Sequence, residues 1–247
     1  MGKPTLVDAT GADLPSTEKI RVALCVPCQD MVHAGWAFSF ASLVGFTAAV
    51  YPGIELVSLQ VKSTLLPDQR NSLVKRALEH GATHLLWFDA DMTFPKDALV
   101  RLLDHDKDIV GVNYSTRRHP AMPTVEAPDG GLMYITPGAT GLAEVSRMGF
   151  GLVLTKASVF DKIEKPYFAL AYRPKMDDFT GEDVYFCRKA REAGITPFID
   201  LGLSQQVGHL GEFRYGLEHA DAMREMVAES GRKLIDAGVN HGPLNEE

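Results

Sequence analysis

The sequence predicts an α/β protein with a mixed, mostly parallel sheet flanked by helices. Two observations carry this. From residue 20 to residue 112, short apolar runs of strand length alternate with longer helix-like segments, the order that a parallel sheet with helical crossovers requires. The run Leu85-Leu86-Trp87-Phe88 is apolar at every position and follows a helix-like segment closed by Gly81, as expected of a strand covered on both faces at the centre of a sheet. Right-handed crossovers bring such strand ends to one side, where ligands of open α/β sheets bind.

Residues 20–26 are the first strand, ended at Pro27, so Cys28, Gln29 and Asp30 fall at the ligand-binding edge. Residues 36–50 carry no charge and are interrupted only by Ser39, Ser42 and Thr47; they read as a buried helix. Pro52-Gly53 breaks it, and residues 54–61 alternate as the second strand. Residues 63–68 are a loop containing Pro67. Residues 69–80 bring Leu73, Val74, Ala77 and Leu78 to one helical face and end at Gly81, a suitable C-cap. The central strand then runs into Asp89-Ala90-Asp91. Pro95 opens a third helix through Leu99, Leu102 and Leu103, and residues 108–112 form a fourth strand.

The texture changes after Asn113. Residues 117–141 are rich in Pro, Gly and Thr, and Pro128-Asp129-Gly130-Gly131 is a turn between short strands at 124–126 and 132–136, a small β-hairpin insertion. Residues 142–146 alternate. Residues 148–154 form an apolar strand in which Gly149 and Gly151 leave one face bare, as where a ligand or another backbone comes close. A short helix at 158–163 and a loop at 169–180 lead to Gly181-Glu182-Asp183, which opens a helix ended by Gly194. Residues 196–199 are the last strand, Val207-Gly208-His209-Leu210-Gly211 follows, and residues 217–237 read as a closing amphipathic helix.

The 247 residues bury a sizeable core in one large domain. A formal charge of −7 argues against non-specific attraction to nucleic acid or an anionic membrane, although Arg117-Arg118-His119 is a local basic cluster. The three cysteines, Cys25, Cys28 and Cys187, are odd in number and lack a completing Cys or His pair, so they read as core and pocket-lining residues. No run reaches the ~18 apolar residues of a membrane span, and residues 1–19 lack the order of a signal peptide. The expectation is a loose leader at 1–19 and a single domain at 20–247, in a cytoplasmic protein. Its parts are a first half at 20–113, a second half at 114–215 and a terminal helix at 216–247.

Asp89 and Asp91 at the end of the central strand repel each other unless a cation or a donor-rich ligand lies between them. Oxygen ligands suit Mg2+ or Mn2+, ions commonly shared with substrate phosphates. The plainer reading is a turn in which Asp89 caps the helix that Pro95 opens. Likewise, Glu182 and Asp183 suit the first turn of any helix by complementing its dipole, and a lone His209 is more often structural than a ligand. Their order along the chain, each beside a strand end, is more specific than any one of them.

With these pieces in order, residues 20–211 resemble the glycosyltransferases of the GT-A fold, especially the family-2-like inverting enzymes frequent in phage and bacterial genomes. The resemblance is carried by the first strand to Pro27, Gln69-Arg70-Asn71 ahead of a helix, residues 85–95, residues 148–154, Pro166-Tyr167-Phe168, Gly181-Glu182-Asp183 and His209. It implies transfer of a sugar from a nucleotide-diphosphate sugar, a UDP-sugar foremost, to an acceptor hydroxyl, with Mn2+ or Mg2+ offsetting the charge of the leaving diphosphate. Asp91 is then the direct metal contact, Asp89 binds ribose or metal-bound water, and His209 is the third protein ligand. Asp183 is the general base and Glu182 positions acceptor or sugar, which implies inversion. The half at 20–113 is then the nucleotide-sugar-binding half and that at 114–215 the acceptor and catalytic half, and Pro27, Cys28 and Asp30 border the base and ribose. Arg70 and Asn71 lie toward the nucleotide with Ala90, and Gly149 and Gly151 make room beside the donor sugar. Residues 117–141 have no counterpart in the family pattern and read as a lid, an acceptor loop or a structural hairpin. The first strand ends in Val26-Pro27-Cys28-Gln29 instead of the commoner Pro-Thr/Ser-Tyr-Asn. The acceptor is open among a glycan, a lipid-linked sugar, a protein, a small molecule and hydroxymethylated bases of phage DNA, and for the last Arg117, Arg118, Arg173 and Lys175 offer a basic face. Two rival readings are a sugar-phosphate nucleotidyltransferase, which usually needs a Gly-rich basic loop after the first strand, and a non-catalytic sugar-nucleotide binder.

Overall fold

The computed structural model describes residues 19–118 and 120–212; the expected leader at 1–18 and the expected helix at 217–237 lie outside them. The chain opens with β1 (Ile20–Pro27), α1 (Ala34–Val50), β2 (Ile54–Val61), α2 (Leu66–Glu79), β3 (His84–Phe88), β4 (Met92–Thr93), α3 (Ala98–Asp104) and β5 (Ile109–Gly111). It continues with β6 (Leu142–Glu144), β7 (Leu152–Lys156), α4 (Val159–Lys162), β8 (Ala171–Arg173), β9 (Asp178–Thr180), α5 (Glu182–Glu192), β10 (Pro197–Asp200), α6 (Leu201–Ser204) and β11 (Gly208–His209).

Seven strands form one sheet in the order β2-β1-β3-β7-β5-β10-β6. β1 pairs parallel with β2 and β3, and β5 with β10. β7 runs antiparallel between β3 and β5, and β6 antiparallel along the edge of β10. Five strands thus share one direction, a mixed, mostly parallel sheet flanked by helices, consistent with a GT-A, Rossmann-like fold. β3 lies inside this sheet, and its residues alternate between two cores. Leu85 and Trp87 face a cluster containing Leu73, Ala77, Phe150, Phe168 and Phe186, and Leu86 and Phe88 face one containing Trp36, Leu43, Leu99 and Leu102. A strand with apolar side chains on both faces has its ends fixed by both layers, and so has whatever follows it.

Several expectations change. α1 is not a buried helix: Trp36, Leu43 and Thr47 are buried, while Phe38 and Val50 are exposed. Apolar composition does not tell an outer-layer helix, which meets the sheet with one face only, from a fully enclosed one. Pro67 belongs to the first turn of α2, a position where its missing N–H costs nothing. α3 starts at Ala98, after Pro95 rather than at it. The expected strands at 124–126 and 132–136 reduce to the single bridge Glu126–Leu132. The two-stranded hairpin is instead β8–β9, in the stretch read as a loop, closed by the Arg173–Asp178 ion pair and by Tyr172 donating to Asp177. Among the described residues no helix is long and apolar enough to cross a membrane.

Candidate functional site

The site is built on the turn between β3 and β4. Its backbone is fixed from three sides: Asp89 N donates to Gly151 O at 3.0 Å, Ala90 O accepts from His33 N at 3.1 Å, and Asp91 O accepts from Leu210 N at 2.7 Å. β4 pairs antiparallel with β11, placing His209 opposite Met92. Two residues more than a hundred positions apart, Asp91 and His209, meet through that pairing. His209 Nδ1 is 2.9 Å from Ser115 O. A carbonyl only accepts, so Nδ1 carries the proton and, in the neutral ring, Nε2 presents a lone pair. That Nε2 lies 3.5 Å from Asp91 Oδ1, which is buried and makes no hydrogen bond. The other oxygen, Oδ2, pairs with Arg117 Nη1 at 2.7 Å.

Asp89 faces elsewhere. Arg70 of α2, only 2% exposed, donates from Nη2 to Asp89 Oδ1 at 2.9 Å and from Nη1 to Glu182 Oε1 at 2.7 Å. Its guanidinium stacks over Phe150 at 5.1 Å and Phe168 at 5.8 Å. Burial opposes its charge, but Asp89, Glu182 and Asp183 outweigh burial and raise its pKa, so the cation is permanent. The reach toward base or diphosphate expected from the sequence gives way to this: Arg70 joins the end of β3 to the start of α5.

Glu182 and Asp183 form the first turn of α5 behind Gly181. Burial raises the pKa of both carboxyls, against the pull of Arg70. Glu182 is held by Arg70, whereas Asp183 accepts from Val184 N at 2.7 Å and has no cation in contact. A Cβ on Gly181 would come within 2.7 Å of Asp183 Oδ1, so the glycine gives the carboxylate its place. Asp183 is therefore the carboxylate of this group best suited to taking up a proton.

Tyr114 went unrecognised in the sequence. Its hydroxyl accepts from Gly151 N at 3.1 Å, and its ring meets His209 edge-on at 5.2 Å. A Cβ on Gly151 would strike the ring at 2.7 Å, and one on Gly149 would strike the hydroxyl. The bare face at Gly149 and Gly151 is thus filled by Tyr114, a correction to the expectation of room beside a donor sugar. Burial raises the pKa of the phenol, with Asp89 and Asp183 adding to it, so it stays protonated. Its position just past β5, at the ligand edge, was the available signal.

The residues expected on the nucleotide side divide. Pro27 and Cys28 are buried at the end of β1, and Cys28 accepts from Gln60 Nε2 at its sulfur and from Gln69 Nε2 at its carbonyl. Asp30 is exposed and paired with Lys62. Asn71 is a clamp and not a ligand group. Its amide donates to Pro67 O and Phe168 O, and its oxygen accepts from Tyr167 N and Phe168 N, which leaves nothing for a nucleotide. The three cysteines are free and buried, and burial raises the thiol of Cys25 and pushes that of Cys187 up to about 12, so these two are unreactive.

The donor set fits a divalent cation in part. Among the described residues no three His, Cys, Asp or Glu side chains gather at one point, because Asp89 is committed to Arg70. Asp91 and His209 remain, an unsatisfied carboxylate oxygen and, in the neutral ring, a lone-pair nitrogen 3.5 Å apart, a donor pair that suits a shared divalent ion. Two protein ligands with the rest from phosphate and water is a common arrangement for Mg2+-type ions. Beyond Tyr114 lies a cleft of about 380 Å³ lined by Tyr114, Ala121, Pro123, Met133 and Tyr134 among others, so the segment after β5 walls a cavity next to these groups.

No family model matches the sequence and no curated protein is significantly similar to it. Solved structures similar to the chain include A197 from STIV, at 16% identity and a TM-score of 0.49, with 80% of this chain and 97% of that one covered. GalNAc-T7 with UDP, GalNAc and Mn2+ is similar at 10% identity and a TM-score of 0.49, over 81% of this chain and 45% of that one. A nucleoside-diphosphate-sugar pyrophosphorylase from Vibrio cholerae RC9 is similar at 10% identity and a TM-score of 0.44, over 75% of this chain and 93% of that one.

Proposed function

We propose that the chain is a metal-dependent, inverting glycosyltransferase that moves a sugar from a nucleotide-diphosphate sugar, a UDP-sugar foremost, to an acceptor hydroxyl. The observation that carries this is the unsatisfied Asp91 Oδ1 with His209 Nε2 3.5 Å away at the carboxyl edge of the sheet; the raised-pKa Asp183 stands in the neighbouring group around Arg70 and Asp89. A bound Mn2+ or Mg2+ supplies Lewis-acid stabilisation of the diphosphate.

The chain's own residues do the rest. Asp183 takes the proton of the acceptor hydroxyl as its oxygen bonds to the anomeric carbon, and the bond from that carbon to the diphosphate oxygen breaks with its electron pair leaving on the diphosphate. A base opposite the leaving group inverts the configuration. Glu182, fixed by Arg70, orients the substrate hydroxyls, and Asp89, fixed by the same arginine, faces the ribose. Tyr114 stays neutral and bars water from the floor beneath Gly149 and Gly151. The segment after β5 binds the acceptor in the cleft beside Tyr114, and that acceptor is a glycan or a hydroxymethylated DNA base.

The test is calorimetric binding of UDP with and without Mn2+, followed by turnover of a panel of UDP-sugars. Mn2+-dependent binding and release of UDP are expected. UDP binding of equal strength without the ion refutes the metal role, and pyrophosphate release from a nucleoside triphosphate with a sugar phosphate favours nucleotidyl transfer instead.

A further inference from the structure

Two arginines serve the two carboxylates of the β3–β4 turn, in opposite ways. Arg70 is enclosed, with both ends of its guanidinium on carboxylates. Arg117 reaches Asp91 Oδ2 from solvent, 48% exposed, with one further contact to Leu210 O at 3.4 Å. An enclosed pair is fixed, and a half-exposed one exchanges partners easily. Arg117 also sits on a loop closed at its base. Thr116 N donates to Met122 O at 2.8 Å, Met122 N donates to Thr116 Oγ1 at 3.0 Å, and Thr124 N donates to Tyr114 O at 3.0 Å. The same base carries Ser115 O, which holds the His209 tautomer.

We propose, resting on the transferase reading above, that Arg117 is the exchangeable cation of the site. It neutralises Asp91 until a divalent ion arrives with a nucleoside diphosphate, and then leaves the carboxylate for a diphosphate oxygen. A divalent ion at Asp91 and His209 meets the positive charge of Arg117 next to it, so the bare ion binds poorly. The diphosphate removes that repulsion and gives the guanidinium a new anionic partner. Ion and nucleotide are thereby made to bind together, each raising the affinity for the other.

The test titrates Mn2+ alone by calorimetry into wild type, Arg117→Gln and, as a control on the adjacent surface charge, Arg118→Gln, and then titrates UDP at saturating Mn2+. Arg117→Gln is expected to bind Mn2+ alone roughly 5-fold more tightly and UDP about 10-fold more weakly. Arg118→Gln is expected to match wild type in the Mn2+ titration. Equal melting temperatures exclude a folding defect at this exposed position. Mn2+ affinity that is unchanged or weaker in Arg117→Gln, with Mn2+ bound by wild type, overturns the exchange while leaving the transferase reading standing. Absence of Mn2+ binding in both proteins, with UDP bound equally well without the ion, overturns the two together.

Discussion

Removing Arg70 tests whether one buried cation holds the two halves of the site together. Its side chain is 2% exposed, against 12% for Glu182 and 28% for Asp89. Arg70→Met keeps an apolar stem against Phe150 and Phe168 but leaves both carboxylates without their partner. Breaking a buried pair by deleting one member costs about 3–5 kcal/mol. Because Asp89 is partly solvated, the lower end, about 3 kcal/mol, is expected here. For a domain of this size that is a fall of about 6–12 °C in melting temperature. Most of the loss is the orphaned charge and not the missing bond, so Arg70→Met combined with Glu182→Gln should be more stable than Arg70→Met alone. Urea and thermal unfolding followed by circular dichroism measure four proteins: wild type, Arg70→Met, Glu182→Gln and the double variant. A loss under about 1 kcal/mol, or additive effects in the double variant, would refute the enclosed bridge.

Asp183→Asn keeps shape but cannot take a proton, so transfer should fall about 10²–10⁴-fold with donor and Mn2+ affinity little changed; near-wild-type turnover removes the residue from the mechanism. The raised pKa of the Asp183 carboxyl places the acidic limb of kcat/KM above the usual aspartate range, activity being lost as pH falls through it, and a limb at the ordinary aspartate value of about 3.9 contradicts this. The same shift means that the folded state holds the proton more tightly than the unfolded one. The carboxylate therefore costs stability as pH rises from the ordinary aspartate value through the raised one, and Asp183→Asn should melt higher than wild type at neutral pH; a simple helix-capping role predicts a lower melting temperature. His209→Ala should weaken Mn2+ binding about 10-fold or more, read by calorimetry. Deleting the turn at residues 128–131 should impair transfer more than donor hydrolysis, whereas equal losses with a lowered melting temperature mark the segment as structural.

The sequence by itself determined the order of the main strands and helices over residues 20–112, since apolar runs and glycine or proline breaks are local signals, while β8 and β9 formed in a stretch read as a loop. It also placed Asp89-Ala90-Asp91 directly after the central strand, because a run apolar on both faces has only one place in a sheet. The antiparallel insertion of β7 between β3 and β5 was not legible, since strand partners are chosen by pairing across long stretches of chain. Nor was the division of labour between the two aspartates. Both look like metal ligands in the sequence, and the packing of α2 on β1 and β2 decided that Asp89 belongs to Arg70 while the β4–β11 pairing gave Asp91 to His209. Gly149 and Gly151 announced a close approach, but only the tertiary structure named Tyr114 as the visitor. A glycine records that space is needed, and the identity of what fills it depends on a strand end thirty-odd residues away, which no local pattern contains.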